Sequence, residues 1–149
     1  MSVKIFVDTN VLVYSRDASE IEKQPQAMYW MKHLWASRTG CLSFQVLQEF
    51  YSIVTTKLQP GMEPKNARED IQYLMAWNPI PVNMDVIKGA WFNQDRFQLS
   101  WWDSLIVSAA QTGICDYLLT EDLQENQIFG AVRILNPFLH SPESFNLHL

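Results

Sequence analysis

The sequence contains little that would mark a secreted or membrane-bound protein. It has only two cysteines, Cys41 and Cys115, which are distant in the chain and lack a C-x-x-C partner. They predict buried thiols in a reducing compartment, not a disulfide framework. No apolar run approaches the roughly 20 residues of a membrane helix, and the first residues lack a signal-peptide core. We therefore expect a cytoplasmic protein without a membrane partner.

Motifs that would identify several enzyme classes are also missing. The five glycines form no G-x-x-x-x-G-K-[ST], G-x-G-x-x-G or G-x-S-x-G pattern, which argues against ATPases, dinucleotide-binding enzymes and hydrolases with a nucleophile elbow. The three histidines, His33, His140 and His148, have no metal-ligand spacing. We predict surface or partly buried imidazoles with no catalytic role.

Basic charge is scarce as well. The net charge of −5 argues against a protein that coats nucleic acid, but an acidic cluster neutralised by metal would give a nuclease the same balance. The 149 residues, 48% of them hydrophobic and 18% charged, predict a single globular domain over residues 1–149. No repeat or linker divides the chain.

Short apolar runs alternate with longer segments of helical periodicity. We predict strands at 4–7, 41–43, 79–82, 117–119 and 132–135. We predict that one helix starts within 11–15 and that five further helices extend over 26–37, 45–57, 66–77, 85–98 and 100–111. The prolines of the third strand suit only an edge position. This alternation predicts an α/β fold in which a parallel sheet carries helices on both faces.

Acidic residues from distant parts of the chain are expected at one rim of this sheet. Asp8 directly follows the first strand, and Glu121 and Asp122 follow the fourth. Asp103 opens the helix that leads into the fourth strand, and Glu49 lies in the first half of the helix after the second. Since ligands of such sheets bind beyond the carboxyl ends of the strands, we expect these acids to face one site.

Clustered carboxylates repel one another, so their assembly favours a bound cation. All-oxygen ligands suit hard ions such as Mg²⁺ or Mn²⁺. Such ions can activate water, orient a phosphodiester and stabilise the leaving oxygen. The pattern therefore predicts metal-dependent hydrolysis of phosphodiester bonds.

Each acid taken alone also has a purely structural interpretation. Asp8 suits the N-cap of the following helix, and Glu49 suits a solvated helix face. Asp103 stands three residues after Ser100, as in a capping box, and Asp122 suits an ordinary turn. Only their joint position at one rim favours the metal site.

The segments around the acids resemble, in order, the four motifs of PIN-domain nucleases. They are Ile5–Leu12, Leu47–Tyr51, Leu99–Ile106 and Leu118–Gln124. The ordered set is more specific than any one motif. It is most similar to the VapC-like toxins of prokaryotic type II toxin–antitoxin pairs.

This resemblance implies a PIN-like three-layer α/β/α fold with about five parallel strands in the order 3-2-1-4-5. It implies an endoribonuclease that uses Mg²⁺ or Mn²⁺, forms a homodimer and is blocked by a cognate antitoxin. By position, the catalytic and metal-binding acids are Asp8, Glu49, Asp103 and Asp122. The supporting residues are Asn10 and Thr120 near the metal and Glu121 one layer further out.

Two alternative functions remain open beside this one. Another Mg²⁺-dependent phosphohydrolase, of the haloacid-dehalogenase type, needs a second aspartate two residues after Asp8, where Asn10 stands. A PIN-fold RNA-binding or interaction module without turnover would keep the fold and lack the activity.

Other features of the chain bear on partners. RNA contact must depend on local basic residues, with Arg16, Lys57, Arg96 and Arg133 as candidates. The tail 138–149 carries no motif and suits packing on a dimer or a partner. The six tryptophans are expected mainly in the core, with a subunit interface or base stacking as alternatives.

Overall fold

The computed structural model describes residues 3–145 of the chain. Within that range the strands are β1 (Ile5–Val7), β2 (Gly40–Cys41), β3 (Tyr117–Leu119), β4 (Ile128–Phe129) and β5 (Val132–Leu135). The α-helices are α1 (Thr9–Arg16), α2 (Lys23–Ser37), α3 (Phe44–Thr56), α4 (Pro64–Leu74), α5 (Met84–Phe97) and α6 (Trp101–Thr112). Short 3₁₀ helices cover Met75–Trp77 and Pro142–Phe145.

The strands form one sheet in the order β2-β1-β3-β5-β4. β1 pairs in parallel with β2 and β3, β3 pairs in parallel with β5, and β4 runs antiparallel to β5. Every β1 residue is fully buried, which requires both faces of the sheet to be covered. The predicted α/β class is confirmed, with a sheet that is mostly and not wholly parallel.

The predicted strand order 3-2-1-4-5 needs one correction. Segment 79–82 is not a strand, because only Ile80 pairs, through a single parallel bridge to Ser43. The prolines on either side of Ile80 have no N–H, which limits the pairing to this one residue. The fifth strand is instead β4, an edge strand joined to β5 by a two-residue turn in which Gly130 takes a φ of +63°.

Capping side chains fix where four of the helices begin. Asp8 caps α1, Ser43 caps α3, Asn83 caps α5 and Ser100 caps α6, each accepting a backbone N–H of the first turn. Ser43 therefore ends the second strand earlier than predicted. The other elements lie within a few residues of their predicted bounds, and the predicted helix 66–77 ends as α4 followed by a 3₁₀ turn.

The predicted burial of the tryptophans is only partly right. Trp30 is buried, whereas the side chains of Trp35, Trp91 and Trp102 are 39%, 49% and 62% exposed. These three lie on the outer sides of their helices, so helical spacing alone did not distinguish them from core residues.

The cysteines and histidines agree in part with expectation. Cys41 and Cys115 are both buried, and although distant in sequence they are close enough for the pKa of each thiol to depend on the other. His33 is buried and His140 pairs with Glu125 at 2.7 Å. His148 and the end of the predicted tail lie outside the described residues. Within residues 3–145 no helix is long and apolar enough to cross a membrane.

Candidate active site

The carboxyl ends of two neighbouring strands bring Asp8 and Thr120 together. Val7 of β1 lies opposite Leu119 of β3, so the residues that follow them are adjacent. The buried hydroxyl of Thr120 donates to Asp8 Oδ2 at 2.8 Å and accepts the backbone N–H of Asp122 at 3.1 Å. Thr120 thus fixes one acid through its side chain and the backbone of another.

Asn10, in the first turn of α1, joins the same two acids from the other side. Its Nδ2 lies 2.9 Å from Asp122 Oδ2, 3.0 Å from Thr120 Oγ1 and 3.4 Å from Asp8 Oδ2. Its own Oδ1 is buried and has no hydrogen-bond partner among the described residues. A buried amide oxygen without a donor is an acceptor that a water molecule or a cation would satisfy.

Glu49 on α3 is tied to this group and does not simply face solvent. Thr9 Oγ1 donates to Glu49 Oε1 at 3.3 Å, and Gln45 Nε2, one turn earlier on α3, donates to the same oxygen at 3.1 Å. Thr9 also donates its backbone N–H to Asp8 Oδ1 at 2.7 Å. The cap of α1 and the position of Glu49 are therefore parts of one network.

Asp103 reaches the site from the start of α6. Its backbone N–H donates to Ser100 Oγ at 3.1 Å, which is the cap that the sequence spacing predicted. Its half-buried carboxylate is also close enough to Asp122 for that charge to raise its pKa. The capping and site interpretations of Asp103 therefore hold together and do not compete.

The four predicted acids line one cavity of about 280 Å³, which lies between α1, α3 and α6. The remainder of its wall is formed by the polar residues Thr9, Asn10 and Gln45 and by apolar and aromatic residues: Val13, Tyr14, Ile53, Trp102 and Ile106. A second cavity of about 410 Å³ among α1 to α4 contains one acid, Asp70, which is paired with Arg16. The clustering of acidic residues predicted from the sequence is therefore found in the cavity of about 280 Å³.

Burial makes negative charge costly in this cavity. It raises the pKa of Asp8 from its ordinary value of 3.8 to about 7, and the charges of Asp122 and Glu49 add to the effect. Hydrogen bonds from Thr120 and Thr9 lower the pKa of Asp8, but by less than burial raises it. Burial, followed by the charge of Asp122, also raises the pKa of Asp103. A bound cation would relieve all of these costs.

Glu121 supports the cavity without lining it. It accepts a hydrogen bond from the hydroxyl of Tyr14, which does line the cavity, and Lys23 Nζ lies 2.8 Å from its other oxygen. Lys23 also lies over the Tyr14 ring, 4.9 Å from its centroid. Sequence analysis did not identify Tyr14 or Lys23, although Tyr14 stands one helical turn after Asn10.

The basic residues proposed for RNA contact are located elsewhere. None of Arg16, Lys57, Arg96 and Arg133 lines the acidic cavity. Arg16 makes two hydrogen bonds to Asp70, and the Arg96 guanidinium lies over the ring of Phe97.

The donor atoms of the cavity fit a hydrated hard cation. Among residues 3–145 no three acidic, histidine or cysteine side chains are close enough to grip one ion directly. Mg²⁺ does not require this, because it keeps several waters and is usually held by one or two carboxylates. The oxygen-only donors, the raised pKa of Asp8 and the unpaired Oδ1 of Asn10 are all consistent with such an ion.

The sheet and the acidic, hydrogen-bonded cavity beyond the ends of its central strands are the features of the α/β class of protein that the four sequence motifs predicted. The chain belongs to the PIN domain family, whose model matches residues 5–128. No curated protein sequence matches it.

The solved structures that share this fold include the following two. One is a toxin–antitoxin complex from Klebsiella pneumoniae, with a TM-score of 0.57 and 16% identity over 90% of this chain and 98% of that one. The other is VapC20 from Mycobacterium tuberculosis, described as a toxin that cleaves the sarcin–ricin loop, with a TM-score of 0.62 and 21% identity over 80% of this chain and 92% of that one. At these identities the likeness establishes the fold.

Proposed function

We propose that this PIN-domain protein is a metal-dependent endoribonuclease. The observation that carries the proposal is that Asp8, Glu49, Asp103 and Asp122, which span more than a hundred positions in sequence, line one cavity. Burying the ionised carboxylate of Asp8 among other acids costs free energy, and a cation bound in the cavity would offset that cost. Membership of the PIN family supports phosphodiester hydrolysis as the use of that cation.

In this proposal Asp8, Asp103 and Asp122 hold Mg²⁺ or Mn²⁺, and Glu49 binds a second ion or orients the attacking water. The bound metal supplies an activated water and charge stabilisation for the leaving oxygen. Thr120 holds the carboxylate of Asp8 in a fixed orientation, because its hydroxyl has no other acceptor among the described residues.

The hydrogen bonds of Glu49 suggest its role. Thr9 and Gln45 both donate to Oε1, which leaves Oε2 without a donor from the described residues. Oε2 is therefore the atom suited to accept a proton as water attacks phosphorus and the bond to the ribose oxygen breaks. The two donors also fix the side chain so that this oxygen stays in place.

The cellular role that fits best is the toxin of a type II toxin–antitoxin pair, acting as a homodimer with a cognate antitoxin. The support is that one structural relative is described as a toxin and the other is a chain of a toxin–antitoxin complex. Induced expression of the wild type should arrest bacterial growth, whereas Asp8→Asn should not. The proposal also predicts a short reading frame beside the gene whose co-expression restores growth.

RNA cleavage with matched variants tests the enzymatic proposal. The wild type should cleave RNA with Mg²⁺ or Mn²⁺ and not with EDTA. Asp8→Asn and Asp103→Asn should each reduce the rate of RNA cleavage by more than about 100-fold. Mutating residues that only hydrogen-bond to metal ligands already reduces metal affinity or activity by about 10–100-fold. Asp95→Asn, which changes an exposed carboxylate on α5, should keep full activity.

Thermal unfolding must show that the variants remain folded. Full activity in both site variants would remove these acids from the mechanism. RNA binding without cleavage under every metal condition would instead identify a PIN-fold binding module.

A further inference from the structure

Trp102 stands out among the exposed side chains because of its location. It lines the same cavity as the four acids, yet its side chain is 62% exposed. Among residues 3–145 its ring packs against no other aromatic ring, and its indole N–H has no hydrogen-bond acceptor. Its neighbour Trp101 packs against the core, so the two tryptophans face different environments.

The backbone at Trp102 is anchored even though the ring is exposed. Gln45 Nε2, on the neighbouring helix α3, lies 3.4 Å from the Trp102 carbonyl oxygen and 3.1 Å from Glu49 Oε1. The side chain of Gln45 is itself buried. One amide therefore connects the position of Trp102 to that of a proposed catalytic acid.

The cavity consequently has two chemically different parts. Four carboxylates line it together with four apolar residues, Val13, Ile53, Ile106 and Trp102. A nucleotide has the same division, since its phosphate requires charge compensation and its base presents a flat apolar face. Although consecutive helix residues point in different directions, Trp102 and Asp103 both line this cavity, so one nucleotide bound there can contact both.

We propose that Trp102 is a nucleobase-binding residue that stacks on the base next to the phosphate held by the acidic part of the cavity. This inference rests on the proposed ribonuclease function and adds the site that binds the base. Stacking on an aromatic face tolerates any base, so the site adds affinity without strict sequence preference. An apolar protein surface is a poorer occupant, because covering Trp102 would also bury unpaired carboxylates.

Binding of a labelled 12-nucleotide single-stranded RNA, measured by fluorescence anisotropy with Ca²⁺ in place of Mg²⁺, tests the proposal. Trp102→Ala should weaken binding about 5- to 140-fold, the range expected for loss of one stacked base. Trp102→Phe, which keeps an aromatic face, should restore most of the affinity. Trp91→Ala is the matched control, because Trp91 is also exposed but lies on α5 away from the cavity.

A backbone probe separates stacking from a general loss of binding. The same experiment uses a 12-unit ribose–phosphate strand without bases, to which the wild type and Trp102→Ala should bind equally. Equal binding of base-bearing RNA by the two proteins would overturn the proposal. So would an equal loss on the abasic strand, or a change in oligomeric mass on substitution, which would show that a second copy covers the ring.

The same measurements distinguish failure of the proposed base site from failure of the proposed ribonuclease function. If the wild type neither binds nor cleaves RNA with any divalent metal, the ribonuclease proposal fails and the base site fails with it. If the wild type binds and cleaves RNA while Trp102→Ala matches it in both, only the base site fails.

Discussion

Replacing Asp8 by asparagine should stabilise the metal-free protein at pH 8 even though it abolishes the proposed activity. Burial raises the pKa of Asp8 from 3.8 to about 7. That difference of about 3 pKa units corresponds to about 4 kcal/mol of unfavourable free energy for the ionised group, at 1.36 kcal/mol per unit. The value is an upper bound for what the substitution can recover.

The sign follows from proton linkage. The folded state holds the Asp8 proton more tightly than the unfolded state, so folding loses stability as pH rises. No penalty applies below about pH 3.8, it grows between pH 3.8 and 7, and it is fully present above pH 7. Asparagine is neutral throughout this range and can still accept the backbone N–H of Thr9.

The pKa of about 7 already includes the hydrogen bond from Thr120 to the ionised carboxylate, so that bond is not subtracted again. The remaining cost is the neutral hydrogen bond that asparagine loses where its NH₂ group replaces Oδ2, about 0.5–1.5 kcal/mol. We therefore expect Asp8→Asn to be about 1–3 kcal/mol more stable than the wild type at pH 8, with the gain disappearing towards pH 4.

Urea unfolding in EDTA at several pH values measures this difference. The midpoint should rise at pH 8 with an unchanged slope, since the surface exposed on unfolding is the same. Asp95→Asn, the exposed control, should show no comparable pH-dependent gain. Saturating Mg²⁺ should reverse the order by stabilising only the wild type. A variant less stable than the wild type at pH 8 in EDTA would show that hydrogen bonds outweigh burial at Asp8 and would refute the reasoning.

Three further predictions follow from the network around the cavity. Thr120→Val, nearly equal in volume, removes the donor to Asp8 Oδ2, so RNA cleavage should fall about 10–100-fold while circular dichroism shows a folded protein. Glu121→Gln should change kcat/KM by less than about fivefold, because a partly exposed ion pair is worth about 0–1 kcal/mol, and a larger loss would place Glu121 in the chemistry. RNA affinity measured by anisotropy should be higher in Ca²⁺ than in EDTA, since only a cation offsets the repulsion between phosphate and the acids, and equal affinity would contradict the metal site.

Local signals in the sequence predicted most of the fold because they act within a few residues. The buried strands at 117–119 and 132–135 were found by composition, and the starts of α1 and α6 are set by side chains that cap their own helices. The errors arose where pairing depends on distant residues. Segment 79–82 contains the apolar residues Ile80 and Val82, but only Ile80 pairs, and β4 has two residues, too few to show an alternating pattern.

The candidate site also combines features that the sequence predicts with features that only the folded structure reveals. The four acids could be predicted because strand ends in a parallel sheet share one rim. Asn10 and Thr120 were predicted as supporting residues only through the family resemblance, and their hydrogen bonds were not, because one such as that between Asn10 and Asp122 joins positions 112 residues apart. The exposure of Trp102 was equally hidden, since two adjacent tryptophans at the start of a helix look alike in sequence and only packing decides which of them faces the core.

An acidic chain that acts on RNA has to attract a polyanion without relying on a basic surface. The basic residues singled out from the sequence lie outside the cavity, and Arg16 is already neutralised by Asp70. In the proposed function, the cavity has two sources of affinity that need no arginine or lysine: a cation held by the acids and an aromatic face that stacks on a base. The first depends on metal and on deprotonation of Asp8, whereas the second depends on neither. Since the two lie side by side at Trp102 and Asp103, binding of the base can place the phosphate against the acids, and the charge that makes the free cavity unfavourable becomes the charge that holds the metal.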